Sequence, residues 1–126
     1  MYVLLRRSSV GLDPIIDRYD FLSTINNKAI EYLSAGLPIL SCPRKGVLFD
    51  LIRTERCGAS FEYGNAGEMA KILMNLANNA ELYGDMTRNA ERLFKNRFDG
   101  DLVYAEMMQY LENIVIGHKA KCQKAG

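Results

Sequence analysis

Nothing in the sequence approaches the roughly 20 consecutive apolar residues that a membrane-spanning helix needs. Nor does it open like a secretory leader, because Met1-Tyr-Val-Leu-Leu precedes Arg6-Arg7, the reverse of the usual charge order. The chain is therefore expected in the cytoplasm. Histidine occurs once, as His118, with no partner at catalytic spacing, so an imidazole relay has no support. Cys42, Cys57 and Cys122 are an odd number without metal-ligand spacing. Cys42 and Cys57 read most simply as small apolar residues in a reducing compartment. Lysine plus arginine number 16 against 15 aspartate plus glutamate, a net charge of +1, which gives no reason to propose nucleic acid as a partner. There is no internal repeat, no low-complexity segment and no Gly-rich first turn.

What remains is ordinary for a globular domain: 126 residues, 48% hydrophobic and 25% charged, enough to bury one core. The most informative stretch is Asn26 to Cys42, NNKAIEYLSAGLPILSC. Asn26 or Asn27 can cap a helix, because a short side-chain oxygen satisfies a free N–H of the first turn. Ala29, Ile30, Leu33 and Leu37 recur at helical spacing and would face a core. Lys28, Glu31 and Tyr32 share another face. Gly36 can take the left-handed conformation that ends a helix, and Pro38 keeps it from resuming. Ile39 and Leu40 then centre an apolar run short enough for a strand buried on both faces.

Around this unit, residues 1–7 read as the end of a helix and Ser9–Leu12 as a short strand stopped by Asp13-Pro14. Residues 15–25 lack periodicity and read as a long loop, of the kind that often carries function. Pro43–Gly46 is a turn, Val47–Arg56 a short amphipathic helix with Val47, Leu48, Leu51 and Ile52 as its apolar face, and Gly58–Phe61 a third strand. Asn65 and Glu68 resemble a capping box ahead of Met69, Ile72, Leu73 and Leu76. Asn78-Asn79 breaks that helix and starts another, with Leu82, Met86, Ala90 and Leu93 on one side. Asp99 or Asp101 opens a last helix whose apolar face is Tyr104, Met107, Met108, Leu111 and Val115, the two methionines being core residues. Residues 117–126, with Lys119, Lys121 and Lys124, read as a flexible basic tail. Three lysines are too few for firm membrane anchoring, so peripheral contact with the inner membrane face stays open.

This order predicts an α/β fold: a partial doubly wound, Rossmann-like parallel sheet of about three strands, with helices on both faces and a helical carboxyl-terminal end. In such folds ligands sit beyond the carboxyl ends of the strands. That places the expected site at Asp13–Asn27, the first turn of the following helix, and Pro43–Gly46.

The motif N-K-A-I-E-Y-L-S-A-G-L-P-I-L resembles the carboxyl-terminal, nucleotide-sugar-binding domain of retaining glycosyltransferases with the GT-B fold, chiefly glycosyltransferase family 4. The likeness extends upstream through Val10-Gly-Leu-Asp-Pro14 and downstream through Cys57-Gly58 to about Leu111. It implies that residues 1–116 are the carboxyl-terminal half of a donor-binding domain. It also implies that Glu31 accepts hydrogen bonds from the ribose hydroxyls of a nucleotide-sugar donor, a task suited to an acceptor-only carboxylate. The donor diphosphate would lie near the helix N-terminus, with Lys28 adding positive charge and Asn27 nearby. Many members carry a second Glu eight positions earlier; here Ser23 stands there. Ser23, Thr24 and the backbone of residues 25–27 are expected to donate hydrogen bonds to the sugar in its place.

The implied reaction transfers a hexose-type sugar from a nucleotide diphosphate sugar to an acceptor hydroxyl with retention, in cell-surface polysaccharide or glycolipid synthesis. The resemblance implies no catalytic side chain, no cofactor and no metal; Asp99-Gly-Asp101 reads as a helix cap rather than a metal motif. It implies an amino-terminal acceptor-binding domain and three earlier donor-domain strands, without counterpart in these residues. The chain is then expected to be one piece of a larger enzyme, inactive alone, and prone to self-association through an exposed sheet edge. The alternative is a non-catalytic nucleotide- or protein-binding α/β module, in which Glu31 is a solvated helix residue. A third is an association module built on the terminal helices.

Overall fold

The computed structural model describes the backbone of residues 2–125 and the side chains of residues 3–118. Helix α1 (Tyr2–Arg6) leads into β1 (Gly11–Pro14), followed by a single turn, α2 (Tyr19–Leu22), and by α3 (Asn27–Ser34). Then come β2 (Ile39–Cys42), α4 (Val47–Glu55) and β3 (Gly58–Ser60). Two helices, α5 (Ala66–Asn78) and α6 (Ala80–Leu93), a π-helical turn (Phe94–Phe98) and the long α7 (Gly100–Ala125) complete the chain. The strands form one parallel sheet in the order β1-β2-β3, with Gly11 opposite Ile39 and Ile39 opposite Gly58. The fold is α/β with a three-stranded parallel sheet, as the sequence pattern predicts.

All four residues of β2 are buried, because a central parallel strand is covered on both faces. Ile39 packs on one side with Ala29 and Leu33 of α3, Leu48 and Ile52 of α4, and Ala90 and Leu93 of α6. Leu40 and Cys42 point the other way, onto Phe61 with Met69 and Ile72 of α5. Helices therefore lie on both faces of the sheet. The two free cysteines among the described side chains, Cys42 and Cys57, are buried in these cores. Burial pushes the Cys57 thiol up to about 11.

The expected caps form. Asn65 Oδ1 accepts from Glu68 N–H at 3.0 Å, Asn79 Oδ1 from Leu82 N–H at 3.1 Å, and Asp99 Oδ1 from Asp101 N–H at 3.0 Å. At the end of α3, Gly36 adopts φ +70°. Gly36 N–H bonds Leu33 O at 3.0 Å and Leu37 N–H bonds Tyr32 O at 3.0 Å, the paired closure of a Schellman motif.

Four expectations are corrected. The first strand is Gly11–Pro14, two residues beyond Ser9–Leu12. Gly11 N–H bonds Pro38 O and Ile15 N–H bonds Cys42 O, so donors toward β2 come from alternate residues. Position 14 faces the open edge, where the N–H that proline lacks has no partner to lose. Residues 15–25 are not wholly loop, since α2 forms there around bonds from Phe21 and Leu22 N–H to Arg18 O. Val47 is exposed although it opens the amphipathic helix α4. Met107 and Met108 are not core: they are 49% and 38% exposed, because α7 leaves the body after packing on the π-helical turn. The backbone of α7 is helical through Ala125; the side chains of Lys119, Lys121 and Lys124 lie outside the described residues. Among the described residues, no helix is long and apolar enough to cross a membrane.

Candidate functional site

In a right-handed crossover between parallel strands, the connecting helix starts at the carboxyl end of the first strand. The start of α3 therefore meets the end of β1. Asn26 joins them with one side chain. Its Oδ1 accepts the Ala29 N–H at 2.8 Å, and its Nδ2 donates to both carboxylate oxygens of Asp13 at 3.2 and 3.0 Å. Asp13 is only 3% exposed, and no cation among the described residues pairs with it. A buried carboxylate without such donors would be strongly unfavourable, so the amide holds both the charge and the helix start.

A second tie lies one turn on. Tyr32 Oη donates to Leu12 O at 3.1 Å, and the Tyr32 ring lies so close to Gly11 that a Cβ there would overlap it. Burial first, then the negative charges of Asp13 and Glu31, push the Tyr32 phenol above its ordinary value, so it stays a neutral donor. Tyr32 is a packing residue of the α3–β1 contact.

With α3 fixed on that face, Asn27, Lys28 and Glu31 are exposed on its first two turns. Glu31 and Lys28 make no side-chain hydrogen bond or ion pair with the described residues. The N–H groups of Asn27 and Lys28 have no acceptor within the helix, as first-turn donors never do. The geometry thus offers two backbone donors, one ammonium and one carboxylate along one helix start. Ser23 and Thr24 lie in the turn after α2 and are exposed; their hydroxyls donate to Asp20 O at 3.4 and 3.3 Å. These protons close α2, so toward a ligand each oxygen is left as an acceptor. Ser23 also lines a cavity of about 310 Å³ with Tyr19, Leu22, Gly46, Val47 and Asp50.

The turn after β2 faces the same end of the sheet, and its cations are engaged. Lys45 pairs with Asp17 at 2.7 Å. Arg44 pairs with Glu68 of α5 and donates from Nε to Ser60 O at 3.3 Å. Ser41 and Ser60 are hydrogen-bonded at 2.9 Å across β2 and β3. A cavity of about 480 Å³ lies elsewhere, at the amino-terminal end of β3 between α4 and α6. Among the described residues, no three His, Cys, Asp or Glu side chains gather as metal ligands would.

Asp13 opens the segment in which the sequence places the site, but its role as an anchor is not read there. In Asp13-Pro14 it reads as a turn, whereas a buried Asp ending a parallel strand, followed by an Asn cap, is a joint between strand and helix. The chain matches no protein-family model and no curated protein.

Proposed function

We propose that this chain is the nucleotide-sugar donor-binding part of a retaining glycosyltransferase, with α3 as its donor-binding helix. The supporting observation is that Lys28 and Glu31 stand exposed, with no side-chain hydrogen bond or ion pair to the described residues, on a helix start tied to β1 through Asn26 and Asp13. A carboxylate left open to solvent can accept from the two vicinal ribose hydroxyls. The first-turn N–H groups, the helix dipole and the Lys28 ammonium favour the diphosphate. Because the α3 start is fixed before ligand arrives, little ordering cost falls on binding.

In this reading Glu31 orients the nucleoside, while Lys28 and the Asn27 and Lys28 N–H groups offset negative charge that grows on the departing diphosphate. Ser23 and Thr24 contribute acceptor oxygens toward the sugar. An acceptor-binding domain completes the cleft, and the chemistry is sugar transfer with retention. Calorimetric titration with UDP, GDP and ADP tests the reading. Binding of at least one, weakened in a folded Glu31→Ala variant, supports it; no binding by any of the three sinks it.

The second reading is a non-catalytic binding module. It draws on the engagement of Arg44 and Lys45 by Glu68 and Asp17, which leaves little further cation for a diphosphate at that turn. It predicts nucleotide binding, if any, indifferent to Glu31.

A further inference from the structure

The accessible surface is 8735 Å², whereas a compact 14.2 kDa chain exposes roughly 6,800 Å². The excess, about 2,000 Å² on that scaling, includes surface of α7, whose described residues are nearly all exposed once it leaves the π-helical turn. Along it Tyr104, Met107, Met108, Leu111, Ile114 and Val115 are each between 38% and 61% exposed. Tyr104 and Leu111, like Met107 and Ile114, are seven residues apart, so the face repeats as paired helices require. By sequence, the helix is also polarised. Its first half holds Asp101, Glu106 and Glu112 and no Lys or Arg; its second half holds Lys119, Lys121 and Lys124 and no Asp or Glu.

We propose that α7 is a homodimerisation helix, its apolar face packed antiparallel on α7 of a second copy of this chain. Two observations select that occupant. The excess area exceeds the roughly 800 Å² per partner that a stable pair buries. The polarity makes the helix complementary to itself only when reversed, since an antiparallel copy sets the acidic half beside the basic half. A two-fold axis through the middle of α7 sets Leu111 against Ile114 of the second copy. The proposal does not depend on the nucleotide-sugar reading, because none of its residues belongs to that site.

Sedimentation equilibrium of the whole chain tests it, with a Leu111→Glu/Ile114→Glu variant alongside. The expected result is a species of twice 14.2 kDa whose dissociation constant rises at least about a hundredfold in the variant, with unchanged far-UV dichroism. Both positions are exposed, so the variant leaves the core intact. Orientation is read from spin-label distances in a Cys122→Ser background. Between copies, labels at Glu112→Cys should lie close and labels at Ala105→Cys about 20 Å further apart, from 1.5 Å of rise per residue. A monomer at about 100 μM, well above typical dimer dissociation constants, overturns the proposal and assigns this face to another partner. A dimer indifferent to the double variant overturns it too, and equally short distances at both labels overturn the antiparallel arrangement.

Discussion

Replacing Asn26 by alanine removes two things at once, and their magnitudes can be separated. The helix cap on Ala29 N–H, at 2.8 Å, is worth about 1 kcal/mol. The Nδ2 donor to the buried Asp13 carboxylate, at 3.0 and 3.2 Å, is worth about 1.5–3 kcal/mol, because its loss leaves a charged acceptor unsatisfied. Asn26→Ala should therefore cost roughly 2.5–4 kcal/mol, or about 10–15 °C in melting temperature for a domain of this size. Asn26→Ser keeps an oxygen that can cap but has no amide to reach Asp13, so it should lose only the second contribution. Adding Asp13→Ala to Asn26→Ala should cost less than the sum of the single changes, by about 1–3 kcal/mol, because the orphaned carboxylate is gone. Urea unfolding followed by far-UV dichroism measures all four. A loss below about 1 kcal/mol for Asn26→Ala, or strict additivity with Asp13→Ala, would refute the joint between strand and helix.

Other expectations concern packing and pH. Gly11→Ala drives a methyl group into the Tyr32 ring and should cost about 1–3 kcal/mol, whereas Tyr32→Phe, which loses only the bond to Leu12 O, should cost about 0.5–1.5 kcal/mol; equal small losses would contradict the contact. Cys57, fully buried with its thiol pushed up to about 11 from 9.0, contributes stability that is intact below pH 9. In the unfolded chain the thiol releases its proton first, so that contribution is lost as pH rises from about 9 through 11. Urea midpoints at pH 8 and pH 10.5 should therefore differ less in Cys57→Ala than in the parent, and an unchanged difference would count against it.

Much of this architecture can be read from local chemistry. The α3 unit is legible because Asn26, Gly36 and Pro38 act within one turn of themselves. The same holds for the Asn65, Asn79 and Asp99 caps. What escapes a one-dimensional reading depends on neighbours. Pro14 belongs in a strand only because β1 is an edge, and edges are set by the sheet. α2 is one turn, too short for hydrophobic periodicity to register. The apolar rows of α6 and α7 look alike in sequence, yet Ala90 and Leu93 are buried while Leu111 and Val115 are exposed. Periodicity marks a face, and only tertiary structure decides whether anything covers it. At the candidate site, Glu31 and Lys28 were legible through a motif, but the Asp13 anchor behind them was not.

The most direct measurement is a thermodynamic cycle on the nucleotide that binds best, comparing it with its 2′,3′-dideoxy counterpart in the parent chain and in Glu31→Ala. If the Glu31 carboxylate grips the ribose, deleting both hydroxyls should weaken binding to the parent about 10- to 100-fold, the worth of hydrogen bonds to a charged acceptor. The same deletion should change little in Glu31→Ala. An equal loss in both proteins, or none in either, would contradict the assignment of Glu31 to the donor ribose.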